Sequence, residues 1–306
     1  MKVGFIGLGM MGKNAAANLL RAGFALTVHD LREEAVAGLV AQGAKAAGSA
    51  AGVMAASDVV VSMVFGPKEV EQVLRGPGGL LSGDCRGKVW IDMTTSSPFL
   101  MRELAAAFQA AGGHAVDAPV TGSVDAAIRG DMPMFVGGED AVIERVRPVI
   151  EAMGRLRKVG AYGNGYVAKL VNNQLWKIHA AAIGEAMVTA KLAGLDPLTW
   201  WEVMKGGAAD SFVLSHDVPS IFAGHYDPSF PIALCLKDLS LIRELLDRTG
   251  TTSTLTDATH DRFREAGRRY GMGAGEMTVC KVIEDDAGID LRVVGDWVKP
   301  WEVTAG

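Results

Sequence analysis

Cysteine is scarce: Cys85, Cys235 and Cys280 are the only three in 306 residues, odd in number and far apart. That excludes a disulfide framework and a paired-cysteine zinc site, and free thiols fit a reducing compartment. His29, His114, His179, His216, His225 and His260 fall at no metal-ligand spacing, so no metal is expected. No uninterrupted apolar run reaches about 18 residues, which excludes a helical membrane span. Neither charge sign dominates: 30 basic residues face 35 acidic ones, for a net charge of −5. So mild a balance gives no reason to expect nucleic acid or an anionic membrane as a partner. Fixed-period repeats and low-complexity tracts are also missing.

What is present is a chain with 49% hydrophobic and 21% charged residues, long enough for two cores. The opening apolar run carries one early cation, Lys2, and is interrupted by glycines. It passes directly into a polar, helix-forming stretch without a processing-site signature, so it does not read as a signal peptide. The expected location is the cytoplasm.

The opening run contains Gly7-Leu8-Gly9-Met10-Met11-Gly12. Three glycines at this spacing are weak evidence alone, but their context is informative. Val3 to Ile6 suits a buried parallel strand, Asn14 to Ala22 suits a helix closed by Gly23, and Ala25 to Val28 suits a second strand. In a strand–turn–helix–strand unit, Gly7 permits the tight turn and Gly9 lets a pyrophosphate approach. Gly12 brings helix and strand close, and the helix N-terminus offers N–H groups to phosphate. Asp30 follows the second strand, where a carboxylate holds the ribose hydroxyls and repels a 2′-phosphate, which favours NAD. Arg32, two residues on and expected in the next helix's first turn and free to point into solvent, leaves NADP open.

Alternation continues with strands at Asp58 to Met63, Lys88 to Asp92, His114 to Asp117 and Pro133 to Val136. Helices are expected between them, including Ser97 to Ala111 and Glu139 to Met153. That pattern predicts a doubly wound, mostly parallel sheet, whose ligands gather at the carboxyl ends of its strands. Past Gly165 the pattern changes. Tyr166 to Ala193 contains no proline and predicts one long helix, and no alternating strand follows Asp196. The expected organisation is residues 1–162 as a dinucleotide-binding domain, 163–193 as a long interdomain helix, and 194–306 as an all-helical domain.

Lys169 and Asn173, four apart, share one helix face, where an ammonium and an amide can hold a substrate oxygen and pass it a proton. A solvated Lys–Asn face is the competing account. Thr121 and Gly122 offer a hydroxyl and free N–H groups suited to a carboxylate, or else form an ordinary turn. Trp176 reads as a core residue before a pocket wall, and Phe212 and Phe230 are further candidates for that wall.

"GFIGLGMMG", "DAPVTGS", "GNGYVAKLVNN" and "KDLSL", in this order, resemble four signatures of the β-hydroxyacid dehydrogenase family, whose members include 3-hydroxyisobutyrate dehydrogenase and tartronate semialdehyde reductase. The resemblance spans essentially the whole chain. It implies an α/β architecture: an N-terminal Rossmann-type doubly wound parallel sheet, then a long helix and an all-helical C-terminal domain like that of 6-phosphogluconate dehydrogenase. It implies that Lys169 is the acid/base residue and that Asn173 orients the substrate. Thr121, Gly122 and Ser123 would bind the substrate carboxylate, and Lys237 would lie beside the nicotinamide or the carboxylate. Cofactor contacts would come from Gly7, Leu8, Gly9, Met10, Met11 and Gly12, from Asp30, Leu31 and Arg32, from Met63 and Val64, and from Thr95. The family usually has serine at 121 and glycine at 123, so Thr121 keeps the hydroxyl while Ser123 narrows the loop.

The implied activity is transfer of hydride between NAD, with NADP possible, and a small 3-hydroxyacid or its semialdehyde. Lys237 is a candidate for the second cation that a lysine base needs nearby to lower its proton affinity. A homodimer or homotetramer is implied. Imine reductases share the architecture but generally replace the catalytic lysine, so Lys169 argues against that activity. Intact glycines, Asp30 and Lys169 argue against a non-catalytic interaction module.

Overall fold

The structure is a computed structural model and describes residues 1–303. Two compact units, 1–170 and 171–303, divide the described chain, and the division falls within a single helix.

The first unit holds one sheet built from β1 (Lys2–Ile6), β2 (Ala25–His29), β3 (Lys45–Ala46), β4 (Val59–Ser62), β5 (Val89–Asp92), β6 (His114–Asp117), β7 (Met132–Gly137) and β8 (Gly154–Gly160). Its order is β3-β2-β1-β4-β5-β6-β7-β8. Every neighbouring pair is parallel except β6 with β7. The chain leaves β1 in one direction, through β2 and β3, and returns to build outward from β4. The gap between the loops after β1 and β4 is therefore the switch point at which such sheets take their ligands.

Helices α1 (Met10–Arg21), α2 (Glu33–Val40), α3 (Ala50–Ala56), α4 (Pro67–Arg75), α5 (Pro98–Ala110), α6 (Val124–Arg129) and α7 (Asp140–Met153) connect the strands. Side chains alternate across the central strands, as the pleat requires. Val59 and Val61 of β4 join one core with Ala16 and Leu19 of α1 and Ile143 and Ile150 of α7. Val60 joins the opposite core with Val53 of α3, Leu74 of α4 and Phe108 of α5. Strands buried on both faces in this way read as continuous apolar runs, which is why β4 and β5 stand out in the sequence.

Two strands do not. β8 carries Arg155, Arg157 and Lys158 and lies at the sheet edge with its residues largely exposed, so no apolar run announces it. β3 is two exposed residues at the other edge. The first helix also begins earlier than expected, at Met10 instead of Asn14. Gly9 is its N-cap, and the second half of the glycine turn is already helical.

The long helix α8 (Asn164–Leu192) follows. The second unit continues with α9 (Pro197–Met204), α10 (Val218–Phe222), α11 (Ile232–Thr249), α12 (Thr254–Tyr270) and α13 (Thr278–Asp286). Within it, Gly184 of α8 faces Cys280 of α13 so closely that a Cβ there would stand 3.0 Å from the cysteine backbone and sulfur. Ile242 of α11, Phe263 of α12 and Val282 of α13 are buried in this unit's core.

Candidate active site

In the first unit the glycine turn is set by three different restrictions. Gly7 has φ +92°, and a Cβ there would lie 2.2 Å from the Met63 carbonyl oxygen. Gly12 packs so near Gly7 that its Cβ would lie 2.1 Å from the Gly7 oxygen, whereas a Cβ on Gly9 would meet nothing within 4 Å. Gly9 thus opens onto free space at the start of α1, whose first turn holds no acidic residue and no side-chain cap. The first amides of any helix lack intrahelical acceptors. The cradle therefore fits a dinucleotide pyrophosphate, with the Met10, Met11 and Gly12 amides as its donors.

Asp30 fastens this turn to the end of β2. Its Oδ2 accepts the Leu8 amide at 2.6 Å and its Oδ1 accepts the Arg32 amide at 2.9 Å. Contrary to what its spacing predicts, Arg32 does not point freely into solvent. Arg32 precedes α2 as its N-cap, and its guanidinium pairs with Asp30 at 3.1 Å and donates to the Leu8 carbonyl at 3.2 Å. Burial pushes the Asp30 carboxyl upward, but the bonds from Arg32 and Leu8 outweigh it and hold the group below its ordinary range. Leu31 lies on the surface, 94% exposed.

The loops after β4 and β5 are tied together. The Val64 amide donates to Thr94 Oγ1 at 3.1 Å, and Thr94 in turn donates to Asp92 through its amide and hydroxyl. Met63 donates to the Ile6 carbonyl at 2.9 Å, which links the same loop to the glycine turn. Met63, Val64 and Thr95 thus stand with Gly7–Gly12 and Asp30 along one carboxyl edge of the sheet.

Beyond β6 the chain turns back along β7, with Val120 bridging Met134 antiparallel. The Thr121 amide donates to the Pro133 carbonyl at 2.9 Å, so the "VTGS" loop is held by β7 instead of continuing the parallel pattern. Thr121, Gly122 and Ser123 are half-buried, and the Ser123 hydroxyl donates to Asp125.

Asp117, at the end of β6, was not singled out in the sequence, yet it ties the start of α8 to the sheet. It accepts the Gly163 amide at 3.1 Å and the Tyr166 amide at 3.2 Å. A Cβ on Gly165 would stand 2.5 Å from the same carboxylate, so glycine is required there. Tyr166 also donates through its hydroxyl to Asp92 at 3.1 Å. Asp92 further accepts Ser62 Oγ at 2.5 Å. Burial pushes Asp92 up to about 7 and Asp117 up to about 6, in both cases against the hydrogen bonds they accept. Lys169, half-buried, follows Tyr166 by three residues on this anchored helix.

In the second unit Asn173 donates to Asp238 Oδ2 at 2.6 Å, and Lys237 pairs with Asp238 Oδ1 at 2.9 Å. Lys177, also near Asp238, is buried. Asn173 and Lys237 are thereby joined through a carboxylate that sequence reasoning did not assign, although it sits inside "KDLSL". Because Lys237 is ion-paired, its charge is in large part balanced locally, which weakens the expectation that it serves as an unopposed second cation. Trp176 is half-buried and donates from its indole to Asp217 at 2.8 Å. Phe212 is exposed and stacked on His216 at 4.5 Å. No cluster of potential metal ligands occurs among the described residues.

Residues 2–164 match the family described as the NAD binding domain of 6-phosphogluconate dehydrogenase. Residues 163–283 match the NAD-binding family of NADP-dependent 3-hydroxyisobutyrate dehydrogenase. The chain is 36% identical to 2-(hydroxymethyl)glutarate dehydrogenase of Eubacterium barkeri, over 95% of this chain and 97% of that protein. It is 37% identical to 2-hydroxy-3-oxopropionate reductase of Escherichia coli, over 93% and 97%. Among solved structures, 3-hydroxyisobutyrate dehydrogenase from Salmonella typhimurium superposes with a TM-score of 0.84 at 29% identity, covering 92% of this chain and 99% of that one.

Proposed function

The chain belongs to the β-hydroxyacid dehydrogenase family, and on that premise we propose that it is an NAD(P)-dependent oxidoreductase interconverting a small 3-hydroxyacid, of the 3-hydroxyisobutyrate kind, and its semialdehyde. The observation that carries this reading lies in the first unit. An anion-ready glycine turn and the helix bearing Lys169 are fixed to one sheet, the latter through Asp117.

Lys169 takes the proton from the substrate hydroxyl during oxidation and returns it during reduction. Asn173 orients the same oxygen, with its own amide steadied by Asp238. The Thr121 hydroxyl and the amides around Gly122 and Ser123 receive the substrate carboxylate, and Lys237, while ion-paired with Asp238, offers it a further N–H donor. The nicotinamide, when bound, supplies the hydride acceptor or donor. Asp30 recognises the adenosine ribose, which favours NAD, and the neighbouring Arg32 keeps NADP within reach. Imine reduction is the weaker reading because it leaves Lys169 without a task. A homodimer or homotetramer in the cytoplasm completes the proposal; three buried thiols outside any disulfide support a reducing location, and light scattering would give the assembly size.

The deciding assay follows NAD reduction across a panel of 3-hydroxyacids, with NADPH oxidation on cyclic imines run beside it. Lys169→Ala is expected to lose at least about 10²-fold in kcat, the scale of a missing acid/base group, while cofactor affinity stays nearly constant. Full turnover in that variant would remove Lys169 from the reaction, and turnover on imines alone would overturn the assignment.

A further inference from the structure

A carboxylate buried in a protein is ordinarily paired with a cation. Asp92, at the end of β5, is 0% exposed and has no such partner among the described residues. Donors from separate pieces of the first unit converge on it instead. Ser62, its register partner on β4, donates through Oγ at 2.5 Å. Thr94, in the loop after β5, donates through its amide at 3.0 Å and its hydroxyl at 3.1 Å. Tyr166, in the first turn of α8, donates through its hydroxyl at 3.1 Å. All four residues are at most 1% exposed, so none of them is open to a bound molecule.

What each donor holds elsewhere gives the cluster a use. Ser62 directly precedes Met63 and Val64, and its oxygen also receives the Trp90 indole at 2.8 Å. Thr94 Oγ1 receives the Val64 amide at 3.1 Å, and Thr94 directly precedes Thr95. Tyr166 stands three residues before Lys169. Each hydroxyl has one hydrogen, and while it points at Asp92 the Thr94 lone pairs are left for the Val64 amide. Removing any one donor leaves a buried charge short of partners, so the remaining donors must shift towards it. We infer that Asp92 is a positioning residue that couples occupation of the dinucleotide site to the placement of Lys169. Thr94 carries the link to the cofactor loop and Tyr166 the link to the helix. This rests on the reading of Met63, Val64 and Thr95 as cofactor contacts. Coupling between two sites is reciprocal, so loss of the buried Tyr166 hydroxyl weakens cofactor binding without removing any contact to the cofactor.

The test measures dissociation constants for NAD by calorimetry, without substrate, and for NADP where wild type prefers it. Tyr166→Phe is expected to weaken binding about fivefold, at the lower end of such couplings. Thr94→Val should weaken it at least as much, and Thr94→Ser, which keeps the hydroxyl, should restore most of the loss. In the double variant Tyr166→Phe should add little to Thr94→Val, because the route between helix and loop is already cut. Phe108→Leu, in the same core as Tyr166, is the control for lost stability and should bind the cofactor as wild type does. Wild-type affinity in Tyr166→Phe, multiplying effects in the double variant, or an equal loss in Phe108→Leu overturns the inference and leaves the proposed function standing. A wild type that binds neither NAD nor NADP overturns the reading of the cofactor loops, and the coupling with it. Should Thr94→Val fail to fold, the comparison of Tyr166→Phe with Phe108→Leu still decides.

Discussion

Asp117 and Tyr166 join the end of a strand to the beginning of a helix: the carboxylate of one accepts the backbone amide of the other at 3.2 Å, and takes Gly163 at 3.1 Å as well. The residue that ends β6 thereby sets where the first turn of α8, and with it Lys169, stands on the sheet. Removing this carboxylate leaves buried amides without acceptors, each worth roughly 1–3 kcal/mol. Asp117→Ala is therefore expected to destabilise the protein by about 2–4 kcal/mol and to lower kcat more than it raises KM. Denaturant unfolding with paired steady-state kinetics measures both, and an unchanged kcat in a folded variant would show that the cap does not serve Lys169.

Asp92 and Asp117 predict an unusual pH response. Burial raises the folded-state values to about 7 and about 6, above the ordinary 3.8. A carboxyl raised on folding binds its proton more tightly in the native state. Its stabilising contribution is complete below the ordinary value and is lost as pH rises through the folded value. Stability should therefore fall from about pH 4 to about pH 7 and level off above, by an amount on the order of several kcal/mol from these two groups. Asp92→Asn keeps an acceptor for Tyr166 and should flatten the upper part of that slope. Melting temperatures at closely spaced pH values decide it, and identical slopes in the two proteins would exclude Asp92 as a cause.

Thr121 is expected to act on binding. Thr121→Ala loses one of several anchors for the carboxylate, worth roughly 1.5–3 kcal/mol if charge-assisted, and so should raise KM by about tenfold or more with a smaller change in kcat. Methyl esters of the substrate provide the control. If they react as well as the free acids, the loop holds no carboxylate.

Cofactor choice turns on the Asp30–Arg32 pair. While Asp30 holds Arg32 at 3.1 Å, a 2′-phosphate meets a carboxylate and a guanidinium already engaged with it. NAD should be preferred over NADP by at least about tenfold in kcat/KM. Asp30→Ser frees the guanidinium for the phosphate and should move the ratio towards NADP. Kinetics with both cofactors settle the matter, and a wild type that favours NADP would assign the choice to Arg32.

How much of this is legible in the sequence follows from what each residue depends on. The glycine turn, the buried strands β1, β4 and β5, and the proline-free stretch of α8 depend on near neighbours or on strict periodicity, and both are visible in a string of letters. The charged edge strand β8 is not, because an exposed edge imposes no apolar pattern. The Arg32 bond to Asp30 depends on how the chain turns after β2, and spacing alone gave it the wrong direction. Asp117 and Asp92 take Gly163 and Tyr166 from 46 or more residues away, so only the folded sheet brings these donors to them. Lys177 could be seen one turn beyond Asn173, but a lysine in a sequence reads as surface until its burial is known.

The three cysteines offer a way to watch each unit separately. Burial raises the proton affinity of all three thiols, so little of the reactive thiolate forms at neutral pH while the fold is closed. Cys85 belongs to the first unit, and Cys235 and Cys280 to the second. A thiol reagent in excess would modify each only when its surroundings open, so the labelling rate at each position, read by peptide mass analysis, becomes a local opening rate. Gly184 makes Cys280 the most informative of them: α8 must draw back from α13 before a reagent enters, and its labelling times the loosening of the helix that continues from Lys169.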